Sequence, residues 1–104
     1  RLVQVLVNLL SNAVKFCEPG QGRIDIQARK EKGGLRADVA DNGPGIVAED
    51  LQRIFDPFYT RKKSKWIGAG LSISHRIVEA HDGRIIAENR SEGGAQFSIL
   101  IPFA

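Results

Sequence analysis

Apolar residues recur at helical spacing over residues 1–17, RLVQVLVNLLSNAVKFC. At about 100° per residue, Leu2, Leu6, Leu9, Leu10, Ala13 and Val14 spread over a broad arc, which Val3, Val5, Val7 and Phe16 widen. A narrow polar stripe runs opposite, through Arg1, Gln4, Asn8, Ser11, Asn12 and Lys15. Amphipathic helices usually turn such a stripe to water. Water-facing stripes favour Lys and Glu, however, and Asn is a poor helix former, worse than Ala by very roughly half a kcal/mol. Asn8, Asn12 and Lys15, spaced four and three apart, stack two amides and an ammonium in one row. That row suits a ligand carrying a metal ion and phosphates, with plain solvation as the alternative.

Breakers at 18–22 end the helix. Alternation follows over 23–30, with Ile24, Ile26 and Ala28 on one side, and again over 35–41, with Leu35, Ala37 and Val39 as the buried set. Lys32-Gly33-Gly34 between them reads as a hairpin turn. Period two carries Asp41 to the core side, where a carboxylate costs stability unless something bonds to it. A backbone N–H or a helix terminus would do so. The Asn42-Gly43-Pro44-Gly45-Ile46 run that follows also lets the chain turn tightly and approach a ligand.

Residues 48–55 read as a short helix stopped by Asp56-Pro57, with Phe55 and Phe58 packing around the turn. Residues 59–66 have no periodicity, and Gly68-Ala69-Gly70 then opens a helix over 71–80. Glycines before a helix N-terminus admit phosphate to free N–H groups, although many such pairs only make a turn. Leu71, Ser74, Ile77 and Val78 form the inner face of this helix, and Ser72, His75, Arg76 and Glu79 the solvated one. His81-Asp82-Gly83 closes it, with His81 as a C-terminal cap. Strands over 84–89 and 96–101 finish the chain, joined through Gly93-Gly94. The order predicts an α+β fold: an antiparallel-rich sheet with helices layered on one face.

The chain of 104 residues is one domain, with 42% hydrophobic and 26% charged residues. No apolar run approaches the roughly 18–20 residues of a membrane span, so direct membrane contact is not expected. A lone Cys17 forms no internal disulfide and fits a reducing compartment. Net charge +3 raises nucleic acid as a partner, but Arg61, Lys62, Lys63 and Lys65 crowd into one loop. Aromatics do not alternate with bases as they do in a stacking platform, so no nucleic acid is expected. With no Met and a first residue already in helix, the sequence reads as an N-terminally truncated fragment.

Several segments resemble two-component sensor histidine kinases. Asn8-Leu9-Leu10-Ser11-Asn12-Ala13-Val14-Lys15-Phe16 resembles their N box, and Asp41-Asn42-Gly43-Pro44-Gly45-Ile46 their G1 box. Phe55-Asp56-Pro57-Phe58 is similar to the F box, and Gly68-Ala69-Gly70-Leu71-Ser72-Ile73 to the end of the G2 box. SHRIVEAHDG at 74–83 and Gly93-Gly94-Ala95-Gln96-Phe97 also match in order and spacing.

The resemblance implies a two-layer α/β sandwich of the Bergerat type, shared with gyrase, Hsp90 and MutL. Its mixed, mostly antiparallel sheet would carry about three helices on one face. It implies ATP and Mg²⁺, with Asn12 ligating the metal, Asn8 supporting that site and Lys15 contacting phosphate. Phe16 would pack at the adenine, Asp41 would accept from its amino group, and Gly43, Gly45 and Ile46 would line the base pocket, with Phe97 at the same site. Residues 59–67 would form the mobile lid, with Lys62 and Lys63 near the triphosphate and Gly68, Gly70 and Leu71 closing over the phosphates.

By the same resemblance the domain is cytoplasmic and passes the γ-phosphoryl group to a histidine on a dimerisation domain of its parent. A response-regulator receiver domain follows. ATP-hydrolysing relatives carry a Glu four residues before the metal Asn, where this chain has Asn8, so transfer is expected over hydrolysis. Trp66 stands where the family commonly has Gly, and Asp82 likewise. The alternative is therefore a degenerate nucleotide-binding or protein-docking module without kinase turnover. Neither His75 nor His81 is expected to be a phospho-acceptor.

Overall fold

In the computed structural model, residues 2–17, 20–57, 59, 66 and 70–103 are described. The apolar face of the first segment forms α1 (Leu2–Phe16). The alternating segments form β1 (Ile24–Glu31) and β2 (Gly34–Asp41), followed by α2 (Ala48–Leu51), α3 (Leu71–Ala80), β3 (Arg84–Asn89) and β4 (Ala95–Pro102). The strands lie in the order β1-β2-β4-β3, every pair antiparallel. The fold is α+β as expected, although the sheet contains no parallel pair among the described residues.

Register puts Ile26 opposite Val39, Val39 opposite Phe97 and Phe97 opposite Ala87, one row across the sheet. Val5, Leu9 and Ala13 of α1 and Leu71, Ile77 and Val78 of α3 pack against Val39, Phe97, Ile99 and Ile85. Burying each Leu or Val is worth about 1.5–3 kcal/mol, so this shared core fixes both helices over β2, β4 and β3.

The helix layer stops short of β1. Ile26 stays 56% exposed and Leu35 48%, although both point to the helix side as their alternation predicts. An apolar groove of about 230 Å³ remains there, lined by Leu2, Leu6, Ala28, Leu35 and Ile101. The helix expected over 48–55 is one turn, Ala48–Leu51. It ends at Leu51, and turns at 52–55 separate it from Asp56-Pro57, the stop expected from sequence.

The opposite sheet face is polar. Arg36 Nε lies 3.0 Å from Asp38 Oδ1, and Arg36 also donates to Ser98, which is wholly buried. The hydrogen bond to Asp38 raises the Arg36 guanidinium above its ordinary value. A groove of about 620 Å³ lies on this face between Arg23, Asp25, Arg36, Glu88 and Glu92. Arg23 pairs with Asp25, Arg36 with Asp38 and Arg90 with Glu92 along it, and none of the site residues expected from sequence lines it.

Candidate nucleotide site

β2 ends on Asp41, which is 4% exposed on the helix-covered side. Its Oδ1 accepts from the backbone N–H of Gly43 at 2.9 Å and of Ala95 at 3.3 Å. These bonds offset part of the burial cost. Oδ2 takes no hydrogen bond among the described residues. Among the described residues no buried side-chain N or O lacks a partner, so Oδ2 is not a sealed, orphaned acceptor. The carboxylate is thus anchored by one oxygen and offers the other as an acceptor.

The loop after Asp41 is built for close approach. A Cβ on Gly43 would lie 2.8 Å from the carbonyl oxygen of Phe16 and 3.2 Å from Asp41 Oδ1, so only glycine lets the loop sit against the last turn of α1. Gly45 takes a φ of 81°, which L side chains adopt rarely. Ile46 is 3% exposed and belongs to the core. Asn89 bonds the backbone of Ile46, and Arg90 Nη1 donates to the carbonyl oxygen of Asp41 at 2.8 Å. Neither residue has a sequence signature, because each acts on backbone more than 40 positions away.

Across from this loop, the two amides of the α1 row are drawn in, while Gln4, Ser11 and Lys15 stay exposed. Asn12 is 5% exposed. Asn8 is half-buried, and its Nδ2 donates to Ser74 Oγ on α3 at 2.9 Å. Gly70, with φ of 75°, starts α3 so close that a Cβ would lie 3.1 Å from Asn8 Oδ1. A cleft of about 250 Å³ runs between the two helices past Gln4, Asn8, Ser11 and Ser74. Lys15 Nζ lies 5.4 Å from the centre of the Phe16 ring, and Leu71 is buried in the core.

Aromatic rings close the third side. Trp66 lies between Phe16, with ring centres 4.3 Å apart, and Phe97, at 5.7 Å. Phe55 meets Phe97 edge-on at 6.4 Å and stacks on His75 at 5.4 Å. His75 is therefore half-buried against Phe55, with Glu79 at 3.3 Å, a correction to the fully solvated position read from its helix face. His81 Nδ1 lies 2.9 Å from the carbonyl oxygen of Ile77, the helix-end role expected of it.

Phe16, Asp41, Gly43 and Phe97 thus converge at one end of β2 and α1, and Asn8 reaches Gly70 along the helix. Lys62, Lys63, Gly68 and Phe58 lie outside the described residues. Among the described residues no group of three or more His, Cys, Asp or Glu could hold a metal. The donor set is one of amides and backbone, which fits a hard cation whose remaining ligands are phosphate oxygens and water.

Residues 1–104 match the family described as histidine kinase-, DNA gyrase B-, and HSP90-like ATPase. The chain is 42% identical to sensor protein ChvG of Agrobacterium fabrum, over 100% of its own length and 19% of that protein. It is 45% identical to sensor protein KdpD of Escherichia coli, over 95% of its length and 11% of that protein. The nucleotide-free catalytic domain of histidine kinase ThkA superposes with a TM-score of 0.82 at 38% identity, covering 95% of this chain and 64% of that one. The chain therefore spans a fifth or less of those two sensor proteins. It belongs to the histidine kinase-, DNA gyrase B- and HSP90-like ATPase family, on the branch of the two-component sensor histidine kinases.

Proposed function

We propose that this domain binds Mg-ATP at the Asp41 end of β2 and presents its γ-phosphoryl group to a histidine on a dimerisation domain of the same parent. The phosphoryl group then goes on to a response-regulator receiver domain, on the cytoplasmic side. The observation that carries the reading is Asp41, buried and anchored through Oδ1 with Oδ2 open. A carboxylate held this way reads an amino group on a base and rejects a carbonyl at the same place.

In this reading Gly43 and Gly45 let the backbone approach the base, and Phe16, Ile46 and Phe97 wall it. Asn12 offers its amide oxygen to Mg²⁺, with Asn8 in support. Mg²⁺ supplies charge neutralisation across the phosphates when bound. Lys15 and Gly70 are assigned to the phosphates, with Lys62, Lys63 and Gly68 as further candidates from the sequence and Leu71 contributing through its backbone. Transfer breaks the bond from the γ-phosphorus to the β–γ bridging oxygen, whose electron pair leaves with ADP, and forms a bond to an imidazole nitrogen. Such a loose transition state asks for positioning and charge stabilisation. An amide at Asn8 abstracts no proton from water at neutral pH, which favours transfer over hydrolysis.

Two solved relatives support the reading: full-length ShkA in complex with AMPPNP, and ThkA in complex with response regulator TrrA. The test is titration with a fluorescent ATP analogue, with and without Mg²⁺, then phosphotransfer within the full parent chain. Saturable, Mg-dependent binding that Asn12→Ala abolishes is expected. Unchanged affinity and phosphorylation in that variant would refute the assignment. A second reading, a module without turnover, is favoured by the Trp66 ring between Phe16 and Phe97. Binding without phosphotransfer in the full parent would establish it.

A further inference from the structure

We infer that Asn89 is a positioning residue for the base: its side-chain amide stands in for a missing strand and holds the 42–46 loop against Asp41. The inference rests on the reading of that loop as the base site. Asn89, the last residue of β3, lies 43 positions from Ile46. Its Oδ1 accepts from the Ile46 N–H at 2.7 Å, and its Nδ2 donates to the Ile46 carbonyl oxygen at 2.7 Å. Both backbone groups of one residue are satisfied by one amide, the exchange that two paired strands make.

The loop needs this because it lacks backbone support. Among the described residues, no backbone–backbone hydrogen bond outside regular structure involves residues 42–46. Side chains hold it instead: Asp41 on Gly43 N, Asn42 bonded to Arg23 N and Gln21 O, and Asn89 on Ile46. Of these, Asn89 alone reaches in from the far edge of the sheet. Gly45 makes the reach possible, since a Cβ there would lie 2.9 Å from Asn89 Oδ1. Asn89 is itself exposed and outside the core, so truncating it removes two bonds and no packing.

The test is isothermal titration of the whole domain with Mg-ATP and, separately, with Mg-tripolyphosphate, which has the phosphates and no base. Asn89→Ala is expected to weaken ATP about tenfold, about 1.4 kcal/mol, within the range for two lost hydrogen bonds. Tripolyphosphate affinity stays within about twofold in the same scale. Asn89→Asp, isosteric but facing the Ile46 carbonyl with a second acceptor, falls as far. Amide hydrogen exchange at Ile46 speeds up in both variants. Unchanged ATP affinity in Asn89→Ala would overturn the inference, and so would an equal loss for both ligands, the mark of general destabilisation. If Asp41→Asn loses ATP affinity while Asn89→Ala does not, the base reading stands and this inference fails. If the wild-type domain binds no ATP, both fail.

Discussion

Replacing Trp66 with alanine moves nucleotide affinity and unliganded stability in opposite directions. The indole lies 4.3 Å from the Phe16 ring and 5.7 Å from Phe97, centre to centre. Aromatic pairs at such separations are worth about 0.5–1.5 kcal/mol each beyond their buried area, so the two together hold the ring with about 1–3 kcal/mol. Under the proposed reading, in which Phe16 and Phe97 wall the base, the base competes for the same space and displaces the indole first. That displacement weakens the apparent affinity by about fivefold to about 150-fold. Trp66→Ala therefore tightens Mg-ATP binding by a factor in that range. It also lowers the melting temperature of the free domain, by about 4 °C or more per kcal/mol lost. Calorimetric titration and a thermal melt read the two effects on one preparation. Trp66 is the sole tryptophan, so wild-type emission shifts to the red as nucleotide saturates. Weaker binding by the variant would show the ring to be a stacking platform for the base. An emission spectrum unmoved at saturation would show that ring and base never compete; either result refutes the reasoning.

Two further outcomes follow from the sheet's polar face and the end of α3. Burial pushes the Asp38 carboxyl up, but hydrogen bonds from Ser98 and Arg36 and the charges of Arg36 and Arg29 outweigh it, holding the group below its ordinary value. With the folded value below the unfolded one, its contribution is complete above roughly pH 4 and is lost as pH falls through the folded value. Melting temperature drops on acidification below that point, and Asp38→Asn flattens part of the drop; identical slopes would exclude the pair as a cause. Asp82 takes a left-handed φ of 60° after α3, a conformation costing non-glycine residues roughly 1 kcal/mol. Asp82→Gly is expected to raise the melting temperature by a few degrees, and a lower value would mean the carboxylate stabilises the turn.

Alternation in the sequence carried the facing of β1 and β2, Asp41 included, because side chains on a pleated strand have no other period. It carried nothing about cover. Ile26 on the edge strand β1 and Leu35 at the start of β2 point to the helix side yet stay exposed, since the helix layer covers neither position. Of the polar stripe, Asn12 is buried and Asn8 half-buried while Gln4, Ser11 and Lys15 are exposed, and the partner of Asn8 is Ser74, a serine on the other helix. Helical periodicity assigned Ser74 to the inner face without naming a partner. Asn89 left no local trace. A side chain bonding backbone 43 residues away is set by strand order, which one sequence does not print. Trp66 stood out as an odd residue in the resemblance, whereas its position between Phe16 and Phe97 is a matter of packing.

The central place of β4 has a consequence for how the domain comes into being. Synthesis delivers this strand after all the others, yet it pairs with both β2 and β3, and its Ala95 N–H helps to fix the Asp41 carboxylate. A nascent chain stopped before Ala95 holds one hairpin and an orphan β3, with long loops still to close. Sheet closure and the full anchoring of the Asp41 carboxylate are therefore a single late event. A ribosome-stalled chain lacking β4 leaves that carboxylate without its Ala95 donor.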